Sequence, residues 1–333
     1  MVFLTLFCML IVILVAAEIF TNALEHLGEK LKISEGVTGS LFAAVGTALP
    51  EASVPIIAIF AGTQNSHTNH EIGVGAILGA PLMLATLSIF LMAMSVFKAR
   101  GVSGHLRPER TGLKRDLNYF IGAFLVAAAA LYIPHENIEA KIGIGLVMIA
   151  IYVVYIVQTL RSSKALVADG HATEADEPMF LNKVGIPTNG YTIALQILLG
   201  LGLLIAGAKG FIGGVEEAAS ILGISTLLLS LLVIPIATEL PEKVNSILWI
   251  RKGKDTLAFG NITGAMVFQG TLLPAIGIML TPWQPQSAVV TGFIVTLIAA
   301  VWLRVMAEKG QLRVWHLMLN GALYISYLVL VLV

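Results

Sequence analysis

The sequence predicts an all-α integral membrane protein with ten transmembrane helices arranged as two inverted five-helix repeats. Hydrophobic residues make up 57% of the 333 residues and charged residues 12%, whereas about a quarter of the residues in soluble domains are charged. A six-residue motif recurs 191 residues further along the chain. Lysine and arginine are also distributed unevenly between the predicted loops. These observations indicate, in turn, a membrane protein, an internal repeat and the orientation of the chain in the membrane.

Ten apolar stretches are long enough to cross a bilayer at roughly 20 residues per span. Hydrophobicity begins at Val2 with no basic segment before it, which predicts a retained first helix instead of a cleaved signal peptide. The two longest connections, residues 98–115 and 161–189, are polar. The predicted spans, numbered 1 to 10, are 2–24, 36–62, 71–97, 117–134, 139–160, 190–211, 223–250, 255–281, 286–304 and 312–333.

The basic residues orient these spans. Assigning alternate loops to opposite faces gives 17 lysine and arginine residues on the face after spans 1, 3, 5, 7 and 9, and only Lys141 and Lys209 on the other. Cytoplasmic loops carry such an excess, so both termini are predicted to lie outside the cytoplasm. We expect the basic connection at 98–115 to lie on anionic headgroups. The predicted location is a prokaryotic plasma membrane.

The recurring motif defines the repeats. Gly46-Thr-Ala-Leu-Pro-Glu51 matches Ala237-Thr-Glu-Leu-Pro-Glu242, with threonine, leucine, proline and glutamate at the same spacing. Such agreement at a fixed offset indicates an internal duplication. Because span 1 starts outside and span 6 inside, the copies have opposite orientations, the plan of many secondary transporters. The predicted division is 1–160 for the first repeat, 161–189 for a cytoplasmic loop and 190–333 for the second repeat.

The motif places carboxylates inside predicted spans 2 and 7. A carboxylate at the bilayer centre costs about 2.5–3.5 kcal/mol even on insertion scales, so Glu239 and Glu242 are expected to face protein, water or an ion. Pro241 has no N–H and leaves the carbonyl of Ala237 without its usual donor. Such a break is tolerated at membrane depth only where the backbone is buried in protein or lines a cavity.

Hydroxyl and carboxylate share one helical face in each copy of the motif. Thr47 and Glu51 are four residues apart, as are Thr238 and Glu242. Together they supply two carboxylates, two hydroxyls and nearby carbonyls, which suit a divalent cation. The alternative is that the prolines kink packed helices and the glutamates make structural hydrogen bonds.

Spans 3 and 8 carry a second matched pair of motifs. Gly75-Ala-Ile-Leu-Gly-Ala80 matches Gly260-Asn-Ile-Thr-Gly-Ala265, and small residues four apart allow helices to approach closely. Packing is the expected role of these glycines. Asn261 and Gln269 are neutral amides within span 8, and they are expected either to ligate the ion or hold a ligating carboxylate, or to make an interhelical hydrogen bond.

On these motifs the sequence resembles the sodium/calcium exchangers of the cation/calcium antiporter superfamily. Members carry Gly-Thr-Ser-Leu-Pro-Glu on one helix of each repeat and Gly-Asn-x-x-Gly-Ser on the next. The likeness covers nearly the whole chain. It implies calcium ligation by Glu51, Glu242, Thr47 and Thr238.

The departures from the family pattern bear on the counter-ion. At positions where the family places oxygen ligands for sodium, this chain has Ala48, Ala80, Leu84 and Ala265. Glu239 instead adds a third carboxylate, and three acidic groups in a partly dry cavity do not easily all ionise. Glu239 is therefore a candidate proton carrier. Alternatively, it forms a buried structural ion pair with Lys243, four residues on.

The sequence therefore predicts a secondary antiporter that exchanges calcium, or a similar divalent cation, for protons or sodium by alternating access. The alternatives are a magnesium or manganese exchanger and a passive cation channel. An enzyme is disfavoured because the chain has no H-E-x-x-H motif. We expect membrane lipids as partners, no cofactor and no nucleic acid. The predicted metal-binding residues are Thr47, Glu51, Thr238, Glu239, Glu242, Asn261 and Gln269.

Overall fold

The computed structural model describes residues 2–30, 49–62, 65–134, 136–167, 177–310 and 312–332. Within these ranges the regular structure is helical, apart from an isolated antiparallel bridge between His105 and Arg313. Helices satisfy their own backbone hydrogen bonds, which a spanning segment in lipid requires. The helices are α1 (Val2–Lys30), α2 (Leu49–Ala61), α3 (Ser66–Met83), α4 (Ile89–Arg100), α5 (Arg110–Ala129), α6 (Ile138–Val167), α7 (Phe180–Lys183), α8 (Gly190–Leu222), α9 (Thr226–Thr238), α10 (Leu240–Arg251), α11 (Asp255–Leu280), α12 (Ser287–Lys309) and α13 (Val314–Leu332).

Seven helical stretches in the described part of the chain are long and apolar enough to cross a membrane. They correspond to predicted spans 1, 3, 5, 6, 8, 9 and 10, and they confirm the integral membrane class. Span 3 is a continuous stretch in which the π-helical turn Leu84–Ser88 joins α3 to α4. Span 4 corresponds to α5, which begins at Arg110, seven residues earlier than predicted. Its first two turns are charged, so α5 is less apolar than the seven.

The two spans that carry the recurring motif are the short ones. Apolar stretches of 10–17 residues occur at Ala52–Ala61 and Thr226–Pro235. Predicted span 7 is divided into α9 and α10, and Glu239 separates the two helices. For span 2, residues 36–48 lie outside the described residues, and α2 begins at Leu49. Within the described residues, span 7 is therefore interrupted at the predicted place.

The helices form two compact units, each drawn from both halves of the chain. Unit 1 comprises Met1–Asn69 and Val154–Thr226, and unit 2 comprises His70–Val153 and Leu227–Val333. The division into repeats at 1–160 and 190–333 stays a prediction.

In unit 1, α1 packs along α8 in the antiparallel direction. Gly200 lies against Phe20, Gly207 against Ile13 and Gly214 against Leu6. Glycines on one face of α8 allow this close approach. Spans 1 and 6 thus run in opposite directions, as an inverted repeat requires of its first helices.

A buried amide pair ties α1 to the start of the second half of the chain. The Nε2 of Gln196 donates to Asn22 Oδ1 at 2.9 Å and to the carbonyl of Ile19 at 3.0 Å. Asn22 Oδ1 also accepts from the backbone N–H of Phe180. The Oδ1 of Asn22 thus accepts from two donors, and Asn22 stabilises this corner of unit 1.

Unit 2 is built around α5, which packs on α11 and α12, while α4 packs on α10 and α13. The glycines of α3 pack on α9, because a Cβ on Gly75 would lie 2.7 Å from the carbonyl oxygen of Leu227 and one on Gly79 would lie 2.6 Å from Pro235 Cγ. The expected packing role is confirmed for these two glycines. It is wrong for Gly260, where no described atom lies within 4 Å of an added Cβ.

The loops after spans 3, 7 and 9 meet on one face of unit 2. The guanidinium of Arg100 donates to both carboxylate oxygens of Asp255, at 2.8 and 2.9 Å. Lys114 pairs with Glu308 at 2.8 Å. In the basic connection at 98–115, Arg100 and Lys114 therefore form ion pairs with acidic residues of the protein. The position of these three loops on one face of unit 2 agrees with the alternating assignment of loops to two faces of the membrane.

Candidate functional site

The candidate site is the interruption between α9 and α10. Pro235 lies inside α9, and Pro241 is the second residue of α10. Because Pro241 has no N–H, the hydrogen-bond ladder is broken at this turn. The break is one residue long, since α9 ends at Thr238 and α10 starts at Leu240, and Glu239 adopts φ −86° and ψ 12°. The break predicted at Pro241 is therefore local.

Glu239 forms the ion pair that the sequence allowed as an alternative. Its Oε2 lies 3.1 Å from Lys243 Nζ, with the carboxylate side chain 0% and the ammonium side chain 7% exposed. Lys243 Nζ also donates to the carbonyl of Pro235 at 3.0 Å. The phenol of Tyr324, on α13, lies within electrostatic range of the carboxylate. The contact supports the ion-pair interpretation of Glu239.

Thr238 is the last residue of α9 and is buried. Its hydroxyl donates to the carbonyl of Ile234 at 3.0 Å. The hydrogen of this hydroxyl is thus directed into the helix, and the lone pairs of Oγ1 remain as acceptors. A cation needs oxygen lone pairs, so this geometry suits a ligand.

The two amides of α11 have different surroundings. Asn261 donates through Nδ2 to Ser246 Oγ on α10 at 2.9 Å, so it links the second matched motif to the helix that follows the break. Gln269 is 0% exposed, and within the described part of the chain neither its Nε2 nor its Oε1 has a hydrogen-bond partner. A buried amide without partners costs about 1–3 kcal/mol. The side-chain amide of Gln269 is therefore available to a ligand.

The remaining predicted residues are placed by the backbone alone or not at all. Leu-Pro-Glu forms the first three residues of both α2 and α10, so Glu51 and Glu242 occupy the same helical position. Carboxylates in the first turn of a helix are favoured by its dipole. The side chains of Glu51 and Glu242, and all of Thr47, lie outside the described part of the structure.

Three polar partners in unit 2 were not singled out from the sequence. Buried Asp116 accepts from Thr263 Oγ1 at 2.8 Å, and Ser246 and Tyr324 are partners or neighbours of predicted residues. For Asp116 a signal exists, because the acid follows Arg115 directly before an apolar span. Ser246 and Tyr324 themselves lie within predicted spans, where hydropathy does not distinguish them from their neighbours.

Comparisons with known proteins agree with this architecture. The family model described as sodium/calcium exchanger protein matches residues 1–161 and 192–333. CaxA of Alkalimonas amylolytica is 24% identical over 285 residues, covering 82% of this chain and 79% of CaxA. The structure of the H⁺/Ca²⁺ exchanger CAX is similar with a TM-score of 0.71 at 15% identity, covering 100% of this chain and 82% of that chain. The sodium-calcium exchanger NCX_Mj gives a TM-score of 0.58 at 19% identity, with 99% of each chain covered.

Proposed function

Because the chain belongs to the sodium/calcium exchanger protein family, we propose that it exchanges calcium, or a similar divalent cation, for a monovalent counter-ion by alternating access. Two solved structures with this fold are a proton/calcium exchanger and a sodium-calcium exchanger. Magnesium and manganese accept the same oxygen ligands and are the alternative substrates.

The observation that carries the proposal is the break at Glu239. A fully buried carboxylate stands directly after the apolar helix α9, and a charge at membrane depth is costly unless it is compensated. Transporters place such breaks where backbone carbonyls and helix ends bind the transported ion. A helix that served only to span the membrane would gain nothing from this arrangement.

The proposed ligands are the two motif glutamates, Glu51 and Glu242, with the hydroxyls of Thr47 and Thr238. The buried position of Thr238 and the direction of its hydroxyl support this assignment. Asn261 and Gln269 are proposed to complete the coordination from α11. Glu239 adds a negative charge beside these ligands, and Lys243 offsets it at 3.1 Å.

Formal charge supports a divalent substrate. The carboxylates of Glu51, Glu239 and Glu242 contribute three negative charges, and the ammonium of Lys243 contributes one positive charge. The net charge is therefore that of two carboxylates, which one divalent cation neutralises. An uncompensated charge would be expensive in the low-dielectric interior.

We propose protons as the counter-ion, with sodium as the alternative. Ala80 and Leu84 are buried and apolar, and Ala265 also lacks a side-chain oxygen. The oxygen atoms that sodium requires are therefore missing from these positions.

We also propose that both termini lie outside the cytoplasm of a prokaryotic cell. The basic loops after spans 3, 7 and 9 meet on one face of unit 2, which supports this topology.

Ion-gradient experiments in proteoliposomes test the proposal. A pH gradient without sodium should drive uptake of labelled calcium, and a sodium gradient at equal pH should drive little. Glu242→Gln should abolish the flux, while Glu217→Gln, an exposed position on α8, should leave it unchanged. Calcium flux that is insensitive to both gradients would contradict an exchanger.

A further inference from the structure

The Lys243 ammonium is placed as a bound cation would be. It lies in predicted span 7, on α10, with 7% of its side chain exposed. Its contacts are a carboxylate oxygen of Glu239 at 3.1 Å and the backbone carbonyl of Pro235 at 3.0 Å. Pro235 precedes Lys243 by eight residues, so the side chain reaches back across the helix break to make both contacts.

The two acceptors are chemically those of an alkali-cation site. In transporters with interrupted helices, backbone carbonyls and helix C-terminal ends at the break coordinate sodium or a proton. The Pro235 carbonyl lies in the last turn of α9, directly before the break. The carbonyl of Pro235 also accepts the backbone N–H of Glu239 at 3.2 Å. Lys243 therefore uses the second lone pair of a carbonyl whose helical bond is already formed. A simple ion pair between residues four apart does not need this second acceptor.

We infer that the Lys243 ammonium is a tethered cation that fills one monovalent-cation position of the exchange site. The inference rests on the proposed exchange function and adds to it a reason for weak sodium coupling. The position between Glu239 and Pro235 is permanently occupied, so no sodium ion enters it during the cycle. Each transported divalent cation is then exchanged against fewer monovalent ions than in a site where this position is vacant.

Charge balance predicts what removal of the ammonium does. Replacing Lys243 with methionine keeps a flexible side chain of similar length but leaves the Glu239 carboxylate without its fixed positive charge. A small cation that reaches the vacated position would find the Glu239 carboxylate and the Pro235 carbonyl as ligands. Lys243→Met should therefore acquire a sodium dependence that the native chain lacks.

The test measures sodium binding without transport. The native protein and Lys243→Met are purified in detergent, and thermal unfolding is followed in sodium chloride and in choline chloride at equal ionic strength. Sodium at about tenfold above its dissociation constant should raise the Tm of Lys243→Met by roughly 2 °C in a saturable manner. The native protein should show the same Tm in both salts. Lys209→Met, a change at an exposed lysine of α8, should behave like the native protein.

A double variant separates a cation position from a structural ion pair. In Glu239→Gln/Lys243→Met the charged ligand is also gone, so the sodium response should disappear. An equal Tm of Lys243→Met in both salts would overturn the inference, and so would a sodium response of the same size in the double variant. If Lys243→Met folds in neither salt, Lys243→Gln takes its place with the same two outcomes. Because no step depends on calcium flux, failure of the proposed exchange function would leave this result readable.

Discussion

Replacing Glu239 with glutamine tests the buried ion pair directly. The change keeps the shape of the side chain and one acceptor oxygen, but it leaves the Lys243 ammonium, 7% exposed, without its counter-charge. Breaking a buried pair by removing one partner costs about 3–5 kcal/mol. Because the Pro235 carbonyl still accepts a hydrogen bond from Lys243, we expect the lower end, about 3 kcal/mol. At about 2.1 cal/mol/K per residue, the Tm should fall by roughly 4 °C.

The assay is thermal unfolding in detergent, followed by tryptophan fluorescence, on a double-mutant cycle. Lys243→Met and Glu239→Gln should each destabilise the protein in choline chloride, and the double variant should recover to within about 1 kcal/mol of the native stability. Glu217→Gln is the matched control, since this glutamate is exposed. A single glutamine variant as stable as the native protein would refute the reasoning, because the pair would then contribute nothing.

Further predictions concern packing, the basic face and a helix cap. Gly79→Ala should cost about 1–3 kcal/mol, because its Cβ would meet Pro235 Cγ at 2.6 Å, whereas Gly260→Ala should be neutral. Equal melting temperatures for the two variants would contradict the close packing of α3 on α9. Asp255→Asn should cost about 2–3 kcal/mol, since the carboxylate accepts two bonds from Arg100 and one from the Arg107 N–H. An unaltered Tm would show that these bonds add nothing to stability.

The pH prediction concerns Glu109, the cap of α5. Burial acts to raise the pKa of this carboxyl, but hydrogen bonds from Gly112 and Thr111 and the charge of Arg115 outweigh it, so the pKa is lowered. A lowered pKa in the folded state stabilises above the unfolded value, and this contribution is lost as the pH falls through the folded pKa. Glu109→Gln should therefore lower the Tm at neutral pH, and the difference should shrink in acid. A difference independent of pH would contradict the assignment.

Hydropathy predicted the spans well because lipid imposes one strong requirement, internal backbone hydrogen bonding in apolar segments. The break in span 7 was predicted from Pro241, because proline removes a backbone donor at a known place. The early start of α5 was missed because its first turns are charged and amphipathic. The contact between Arg100 and Asp255 joins residues 155 apart, and no local pattern specifies such a partner.

The site was predictable as far as its chemistry is local. The spacing of Glu239 and Lys243 already allowed an ion pair, and the structure forms it. The second contact, to the Pro235 carbonyl, depends on how the lysine side chain folds back over the break, which sequence spacing does not determine. The direction of the Thr238 hydroxyl is likewise a consequence of packing, and so is the position of the Gln269 amide away from hydrogen-bond partners among the described residues.

The central claim, exchange of a divalent cation, is tested most directly by counterflow. Proteoliposomes are loaded with unlabelled calcium and diluted into a trace of labelled calcium without any pH or sodium gradient. In an exchanger, internal calcium should accelerate entry of the label. Glu242→Gln should abolish this trans-stimulation, and Glu217→Gln should leave it unchanged. Label entry that is independent of internal calcium, or unchanged in Glu242→Gln, would contradict an alternating-access exchanger with its site at the break between α9 and α10.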